Sequence, residues 1–320
     1  MKTEIAGDLP ADYSFFLDGR KAPVRTVRIG ERFTVQTRDA VNGKIGGEGV
    51  PFTARSLEPM SLHSPELSNP VYGPVFVTGV EKGDLLGIRI HDIRTPPTGV
   101  TGIKVGQGLF HDSAKWADLF SSPTTRILSN DARAGRVRLG GTVEWSLQPF
   151  IGTIGVAPES EVHASSVVQG PWGGNWDCRH IRKGATLHVN ALHDGGLLYV
   201  GDVHGSQGDG ELSGIANEIE SELELEVTVL SRQAIPYARI ETDEEYICIY
   251  ATKPLESAVS TSIDFLLQWL AEKTSLPLRD LYVVLSTCPD FRIDVYQMVD
   301  MPGISFTAGA RFPKGMLPPR

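Results

Sequence analysis

Residues 197–230 read LLYVGDVHGSQGDGELSGIANEIESELELEVTVL, and the end of this stretch decides the fold class. Across residues 222–230, acidic and threonine side chains alternate with apolar ones at a period of two. That period is typical of a β-strand with one wet face and one face in the core. The stretch therefore predicts a protein built on a packed β-sheet.

Two potential metal ligands follow an apolar run upstream of that strand. The run at residues 197–200 predicts a strand end, and Asp202 and His204 come soon after it. Side chains two residues apart on a strand point to the same face, so this pair can hold one cation. Beyond Gly205 the chain is expected to leave the strand, but the two-residue interval continues through three polar residues separated by glycines. They are Gln207, Asp209 and Glu211.

A third candidate ligand lies further upstream, after a turn. Gly173, Gly174 and Asn175 form a predicted turn that exposes the side chain of Asp177. Together with Asp202 and His204, this carboxylate would form a metal site that leaves room for water and substrate. An aspartate in such a turn often only accepts hydrogen bonds from turn amides, and Asp177 and Asp209 have this alternative explanation. The combination of two carboxylates and one imidazole favours the metal site.

Several glutamates near these ligands are candidates for proton transfer. A carboxylate with a raised pKa close to activated water can take its proton. Glu211 belongs to the glycine-spaced run, Glu218 follows it, and Glu220 fits equally well on the wet face of the next strand. The candidates for the acid/base are therefore Glu211 and Glu218.

Two other functions compete with metal-dependent catalysis. Cys178 could act as a nucleophile with His180 or His188 as its base, but a lone cysteine is more often an inert buried residue. The second alternative is a non-catalytic β-protein whose glycine-rich turns hold calcium.

The remainder of the chain is mostly β in pattern. Short β-branched runs at residues 24–29 and 32–37 predict early strands, and residues 149–158 predict a buried strand or a close-approach loop. Residues 73–93 and residues 136–145 each predict a hairpin. The proline-rich connection at residues 51–70 is long enough to suggest that it covers a site or a subunit contact.

The periodicity becomes helical only near the end of the chain. Leu255–Lys273 and residues 278–285 have apolar residues at helical spacing, and residues 292–299 predict a further strand. We therefore expect one domain over residues 1–320, mainly β with a β-sandwich-like core. Its β-rich body spans residues 1–235, and a smaller α+β segment at residues 236–320 packs on it.

Composition excludes several classes of partner. The 320 residues carry a net charge of −9 without a block of Lys or Arg, so we expect no nucleic-acid binding. No apolar stretch approaches the ~20 residues of a membrane helix, and the acidic N-terminus does not resemble a signal peptide. Three widely separated cysteines fit reduced thiols in a cytoplasmic protein.

Several segments resemble the acetamidase/formamidase family. The runs at residues 173–177 (GGNWD) and 201–211 (GDVHGSQGDGE) are similar to its signature segments. Further similarities follow in the family's order over nearly the whole chain. They are GPV at 73–75, GDLL at 83–86, IGVAP at 154–158, YQMVD at 296–300 and FPK at 312–314.

This resemblance implies hydrolysis of small aliphatic amides such as formamide or acetamide, with release of ammonia, and some relatives open lactams. It implies a bound divalent metal, for which we expect zinc in preference to calcium, and assembly into a homo-oligomer. Asp177, Asp202 and His204 correspond to metal positions, and Glu211 or Glu218 to the acid/base. We expect the glycine-rich turns to contact the substrate and its oxyanion through four residues. They are Gly174, Asn175, Gln207 and Asp209.

Overall fold

The computed structural model describes residues 9–43, 67–301 and 303–318. Within these ranges the chain forms 22 β-strands and two α-helices. The predicted mainly β fold is confirmed. Most of the connection at residues 51–70, which we expected to cover a site or a subunit contact, lies outside the described residues.

The first eleven strands precede the glycine-rich signature segments. They are β1 (Tyr13–Ser14), β2 (Phe16–Leu17), β3 (Arg25–Arg28), β4 (Arg32–Thr37), β5 (Val71–Thr78), β6 (Leu85–Arg94), β7 (Thr98–Ile103), β8 (Thr124–Asp131), β9 (Arg136–Leu139), β10 (Val143–Ser146) and β11 (Phe150–Val156).

The other strands and both helices complete the chain. They are β12 (His163–Ala164), β13 (Gln169–Gly170), β14 (Gly173–Asn175), β15 (Thr186–Asn190), β16 (Leu198–His204), β17 (Glu218–Ile219), β18 (Ser221–Ser231), β19 (Arg239–Glu241), β20 (Glu245–Thr252), α1 (Leu255–Lys273), α2 (Leu278–Thr287), β21 (Arg292–Gln297) and β22 (Phe306–Pro313).

Two large sheets contain nearly all of these strands. The first has the order β10-β9-β8-β7-β17-β16-β11-β14-β13, with β5 also paired to β16 and with β1 and β3 beside β5. The second has the order β21-β22-β20-β19-β15-β6-β18-β4, and β2 and β12 form a separate pair. All pairings are antiparallel except that of β3 with β5.

The main core lies between the two sheets. Ile154 and Val200 of the first sheet and Ile88 and Leu225 of the second are fully buried in one apolar cluster. Along β18, Leu223, Leu225 and Val227 are buried while the intervening glutamates are partly exposed, as the alternation predicts, and the pattern ends at Val229 and the exposed Leu230. Side chains from both inner faces thus fill the space between packed sheets, as in other β-sandwiches.

The hairpin predicted at residues 73–93 is wrong, although both of its strands exist. β5 belongs to the first sheet and β6 to the second, so the two strands do not pair. The six residues between them exceed a tight hairpin turn and carry the chain across the ~10 Å that separates packed sheets. In contrast, β9 and β10 pair antiparallel through a two-glycine turn, which confirms the hairpin at residues 136–145.

The C-terminal segment contributes strands to the second sheet rather than forming a sheet of its own. β19 pairs with β15, and β20, β22 and β21 continue the sheet outward. Helix α1 has the predicted bounds and buries Leu266, Trp269 and Leu270 in a second apolar cluster. Neither α-helix of the described ranges is long and apolar enough to cross a membrane.

Candidate metal and active site

Five buried titratable side chains meet at the end of β16 in the first sheet. Asp202 and His204 lie on β16, and Glu218 lies on the adjacent strand β17 directly opposite His204. Asp177 follows β14, and Glu211 ends a short 3-10 turn at Asp209–Glu211. Each of the five residues is at most 8% exposed. The fold therefore brings side chains from two paired strands and two connecting segments into one cluster.

The backbone around this cluster is unusual. Six described non-glycine residues have positive φ, and four of them line the cluster's cavity. These four are Asn69 (φ 55°), Asp177 (φ 50°), Asp202 (φ 54°) and Glu211 (φ 45°). Such conformations cost free energy and concentrate at functional sites. The positive φ of Asp202 also departs from the backbone of a regular strand. The side chains of Asp202 and His204 therefore do not meet simply because they are two residues apart on a strand.

The His204 ring lies between two carboxylates. Its Nε2 atom is 3.5 Å from Oδ1 of Asp202 and 3.3 Å from Oε2 of Glu218. Phe150 packs edge-on against the ring at 5.0 Å between ring centres. The imidazole is therefore held between the two carboxylates and the Phe150 ring.

Gln207 fixes the orientation of this imidazole from the other side. Its Nε2 group donates hydrogen bonds to the carbonyl oxygens of Asp177 (3.1 Å) and Tyr296 (2.8 Å). Since both amide protons are used, Oε1 must face Nδ1 of His204, which is 3.0 Å away. Nδ1 therefore carries a proton and donates it to Gln207. This leaves Nε2 as the ring atom that can bind a cation.

Other polar residues hold the carboxylates. Oγ1 of Thr153 donates to Oδ1 of Asn175 at 2.7 Å and also lies 3.1 Å from Oδ2 of Asp202. Nδ2 of Asn175 donates to the Ser166 carbonyl. Nε2 of Gln297 donates to Oδ2 of Asp177 at 3.1 Å. The cluster is thus positioned by strands on both sides of it.

Gly152 on β11 allows the two aspartates to come together. A Cβ atom at this position would lie 2.8 Å from Oδ2 of Asp202 and 2.9 Å from Oδ1 of Asp177. Real Cβ atoms essentially never approach other atoms so closely. Any larger residue at position 152 would therefore displace the carboxylates.

The cluster carries more negative than positive charge. Burial and the charges of Asp202 and Glu218 raise the pKa of Asp177 to about 8, against the opposing charge of His204. Burial also raises the pKa of Glu211, with Asp177 adding to the shift, and burial raises the pKa of Glu218. Burial would lower the pKa of His204, but the charges of Glu218 and Asp202 raise it well above its ordinary value. Without a cation, the cluster therefore retains protons that solvated carboxylates would lose.

A divalent cation fits this donor set. Oδ1 of Asp202 and Oε2 of Glu218 are buried and have no hydrogen-bond partner among the described residues. Lys104 lines the same cavity. If all six cavity groups were charged, four carboxylates, one imidazolium and one ammonium would leave two negative charges uncompensated. Buried charges need such compensation, and carboxylate and imidazole are ligands of divalent metals.

Two overlapping sets of potential ligands share His204. One consists of Asp177, Asp202 and His204, and the other of His204, Glu211 and Glu218; within each, the ligand atoms lie within 4.8 Å of one another. Because Nδ1 of His204 is bonded to Gln207, only Nε2 is available to either set. The first set is the one that the sequence predicts.

A family model named acetamidase/formamidase matches residues 21–170 and 167–313. The chain belongs to this family. One relative, an acetamidase from Mycolicibacterium smegmatis, is 26% identical to this chain over 242 residues. The matched residues cover 59% of this chain and 58% of that relative. The chain therefore matches less than two thirds of the length of this curated relative.

Two solved structures of the family match over most of the chain. Acetamidase from Bacillus halodurans has 28% identity and a TM-score of 0.80, covering 94% of this chain and 95% of that one. Acetamidase from Yersinia enterocolitica has 28% identity and a TM-score of 0.82, covering 96% and 90% of the two chains. The family resemblance of the signature segments is thereby confirmed.

Two of the residues predicted to contact substrate lie outside the cluster of this family member. Gly174 pairs with strands on both sides, and a Cβ atom there would lie 2.1 Å from the Val168 carbonyl oxygen. Its small size serves packing within the sheet. Asp209 is exposed and forms an ion pair with Arg179 on the surface. Asn175 and Gln207 do reach the cluster, but their side chains position other residues.

Cys178 is placed unfavourably for a nucleophile. It is fully buried in the main core and does not line the cavity of the cluster. Burial raises the pKa of its thiol to about 12, so the reactive thiolate is scarce at neutral pH. His188 packs against Trp269 in a different part of the protein.

Sequence reasoning missed three residues that support the site. Thr153 lies in the predicted buried strand, Gln297 lies in the family-like run at 296–300, and Asn69 contacts Asn175 at 3.4 Å. None is near the signature segments in sequence. The family-like run was the only signal that pointed to Gln297.

The cluster encloses a small cavity. Its volume is about 40 Å³. A buried water needs roughly 10–15 Å³ of such space, so the cavity has room for only a few non-hydrogen atoms. Apolar walls are provided by Ile215, Val299 and Ile304.

Proposed function

We propose that this protein hydrolyses small linear carboxamides, similar to formamide or acetamide, to a carboxylate and ammonia. The observation that carries this proposal is the buried cluster of Asp177, Asp202, His204, Glu211 and Glu218 around a cavity of about 40 Å³. Membership of the acetamidase/formamidase family supports the reaction class. The cavity size supports a substrate of few atoms.

We further propose that Asp177, Asp202 and Nε2 of His204 hold a divalent cation, zinc in preference to calcium. The imidazole ligand favours zinc, because calcium binds oxygen ligands almost exclusively. When bound, such a cation polarises a carbonyl group and makes water more acidic. Gln207 and Gln297 position the ligands through the hydrogen bonds that support this assignment.

The two glutamates are assigned to proton transfer. Oε1 of Glu218 accepts a hydrogen bond from the Ala216 amide, which leaves the unpartnered Oε2 to accept a proton from water. A carboxylate oxygen of Glu211 lies within 4.8 Å of one of Glu218, and Glu211 can donate a proton to the departing nitrogen. Water then supplies oxygen to the acyl carbon, the C–N bond breaks, and the nitrogen leaves as ammonia.

Ammonia release from formamide, acetamide and propionamide tests this function. We expect turnover that is lost after chelation and restored by zinc, because the ligand set requires a cation to balance its charge. Absence of turnover with every amide, in protein shown to contain metal, would contradict the proposal. Metal-dependent melting without turnover would instead identify a non-catalytic cation-binding protein.

Replacement of Cys178 separates this mechanism from a cysteine nucleophile. We expect Cys178→Ala to retain its activity, because Cys178 does not line the cavity of the cluster. The predicted homo-oligomer is tested independently by light scattering coupled to size-exclusion chromatography.

A further inference from the structure

A second, larger cavity lies on the other side of Glu211 from the metal-ligand cluster. Its volume is about 640 Å³, compared with about 40 Å³ for the inner cavity. Glu211 and Ile215 line both cavities. The two cavities are therefore adjacent and meet at these two residues.

The outer cavity has an extensive apolar lining. The apolar side chains come from strands β8, β9 and β10 and from the loop that follows Glu211. They are Leu128, Leu139, Trp145, Leu212 and Ile215. Nε1 of Trp145 donates to Oγ of Ser206 at 2.9 Å, which fixes the position of the indole. Leu212 is 51% exposed, so its side chain is accessible to a ligand in this cavity.

The turn that carries Glu211 is held from several directions. Arg179 pairs with both Asp209 of the turn and the buried Asp294. The Met298 amide donates to the Gly210 carbonyl at 3.0 Å. The backbone of the turn is thereby fixed, which holds Glu211 where the two cavities meet.

We propose that the outer cavity receives the apolar nitrogen substituent of a secondary carboxamide whose carbonyl group lies in the inner cavity. This inference rests on the proposed amide hydrolysis. Glu211 is the proposed proton donor to the departing nitrogen and lines both cavities, so the nitrogen of the substrate faces the outer one. A substituent on that nitrogen then extends past Ile215 towards Trp145 and Leu212.

The reaction is the same hydrolysis with a different leaving group. Water adds its oxygen to the acyl carbon, and the bond between carbon and nitrogen breaks. The nitrogen takes up a proton and leaves as a primary amine, while the acyl group becomes a carboxylate. The inner cavity restricts the acyl group to a small one such as formyl, whereas the outer cavity tolerates a larger amine.

Kinetics with N-benzylformamide and formamide test the inference on the intact, metal-loaded protein. We expect N-benzylformamide to be hydrolysed. We expect Leu212→Ala to lower the ratio of its kcat/KM to that of formamide by about 10-fold, the low end of the discrimination that an apolar pocket contact gives, because Leu212 is half-exposed. Trp145→Ala should lower the same ratio further. Leu230→Ala is the matched control, because Leu230 is 45% exposed and does not line the cavity.

Several results would overturn the inference. Formamide turnover without any N-benzylformamide turnover would do so while leaving the proposed function intact. An unchanged ratio in both Leu212→Ala and Trp145→Ala would also do so. If Trp145→Ala dissociates an oligomer without changing the ratio, the cavity is a subunit contact. If no amide is hydrolysed, the proposed function itself fails and this inference fails with it.

Discussion

His204 shows how single residues define the candidate site. One ring nitrogen faces Gln207, and the other faces the carboxylates of Asp202 and Glu218. Burying several carboxylates around one imidazole is costly, since desolvation of charge is repaid only by close partners. Apolar residues of similar volume would serve stability at least as well. Burial of this cluster is therefore better explained by a functional role than by a contribution to stability.

Replacement of Gln207 tests how His204 is positioned. Gln207→Met keeps the length of the side chain but removes the acceptor for Nδ1 of His204 and two donors. We expect metal affinity to fall by about 10- to 100-fold, which is the usual effect of removing a hydrogen-bond partner of a ligating histidine. The measurement is competition against a chromogenic chelator.

Gln233→Met is the control for this substitution, because Gln233 is exposed and remote from the cluster. It should bind metal as the unmodified protein does. Unchanged metal affinity in Gln207→Met would show that the hydrogen bond to Nδ1 does not prepare His204 as a ligand.

At the scale of elements, strand β11 determines how closely Asp177 and Asp202 approach. Gly152 of this strand leaves space for both carboxylates. In Gly152→Ala the new Cβ atom would displace them, and small misplacements of catalytic groups can lower activity about 100-fold. We expect a loss of kcat/KM of that order for formamide, together with weaker metal binding.

Gly315→Ala provides the matched control for Gly152→Ala. A Cβ atom at position 315 would meet nothing within 4 Å. This variant should keep its activity and melting temperature. Full activity of Gly152→Ala would mean that the two carboxylates need not keep their separation.

The success of sequence analysis for each element depended on how local its interactions are. Helix α1 was predicted with its observed bounds, because its apolar spacing and the preceding Pro254 act within the helix itself. Strand β18 was predicted for the same reason, because its alternating acidic and apolar residues are adjacent in sequence. The pairing of β5 and β6 was not predicted, because each strand bonds to partners far away in sequence.

The same distinction applies to the site. Asp202 and His204 were found because they are close in sequence. The glycines before Asp177 drew attention to it, but Gly173–Asn175 form strand β14 and not the predicted turn, and Asp177 is buried. Thr153 and Gln297 could not be found in this way, since β11 and β21 are brought to the cluster only by the packed fold. Asp209 lies outside the cluster, where it pairs with Arg179 and lines the outer cavity.

At the scale of the whole molecule, a buried ion network connects the second sheet with the segment that carries Asp177. Asp294 of β21 accepts hydrogen bonds from Arg179 (2.8 Å) and Arg311 (2.8 Å) and lies 3.5 Å from His180. Burial alone would raise the pKa of Asp294, but the hydrogen bonds and charges of His180 and Arg311 hold it well below its usual range.

This lowered pKa predicts a pH-dependent contribution to stability. The ionised Asp294 stabilises the fold above the unfolded pKa of about 4, and the stabilisation is lost as the pH falls towards the lower folded pKa. We expect Asp294→Asn to reduce the free energy of unfolding by about 3 kcal/mol or more at pH 7, because it breaks a buried ion pair. The difference from the unmodified protein should shrink below pH 4 in urea unfolding experiments.

Asp290→Asn is the control, since Asp290 is exposed and precedes the same strand. It should have little effect at any pH. A difference between Asp294→Asn and the unmodified protein that stays constant from pH 7 to pH 3 would contradict an electrostatic origin.

We propose that Asp177, Asp202 and His204 hold a divalent cation required for amide hydrolysis. The most direct test measures bound metal by elemental analysis and ammonia released from formamide, in the unmodified protein and in an Asp202→Ala/His204→Ala double variant. We predict about one divalent ion per chain with turnover in the former, and neither in a folded double variant. Full activity of the double variant, with no metal in either purified protein, would contradict the claim.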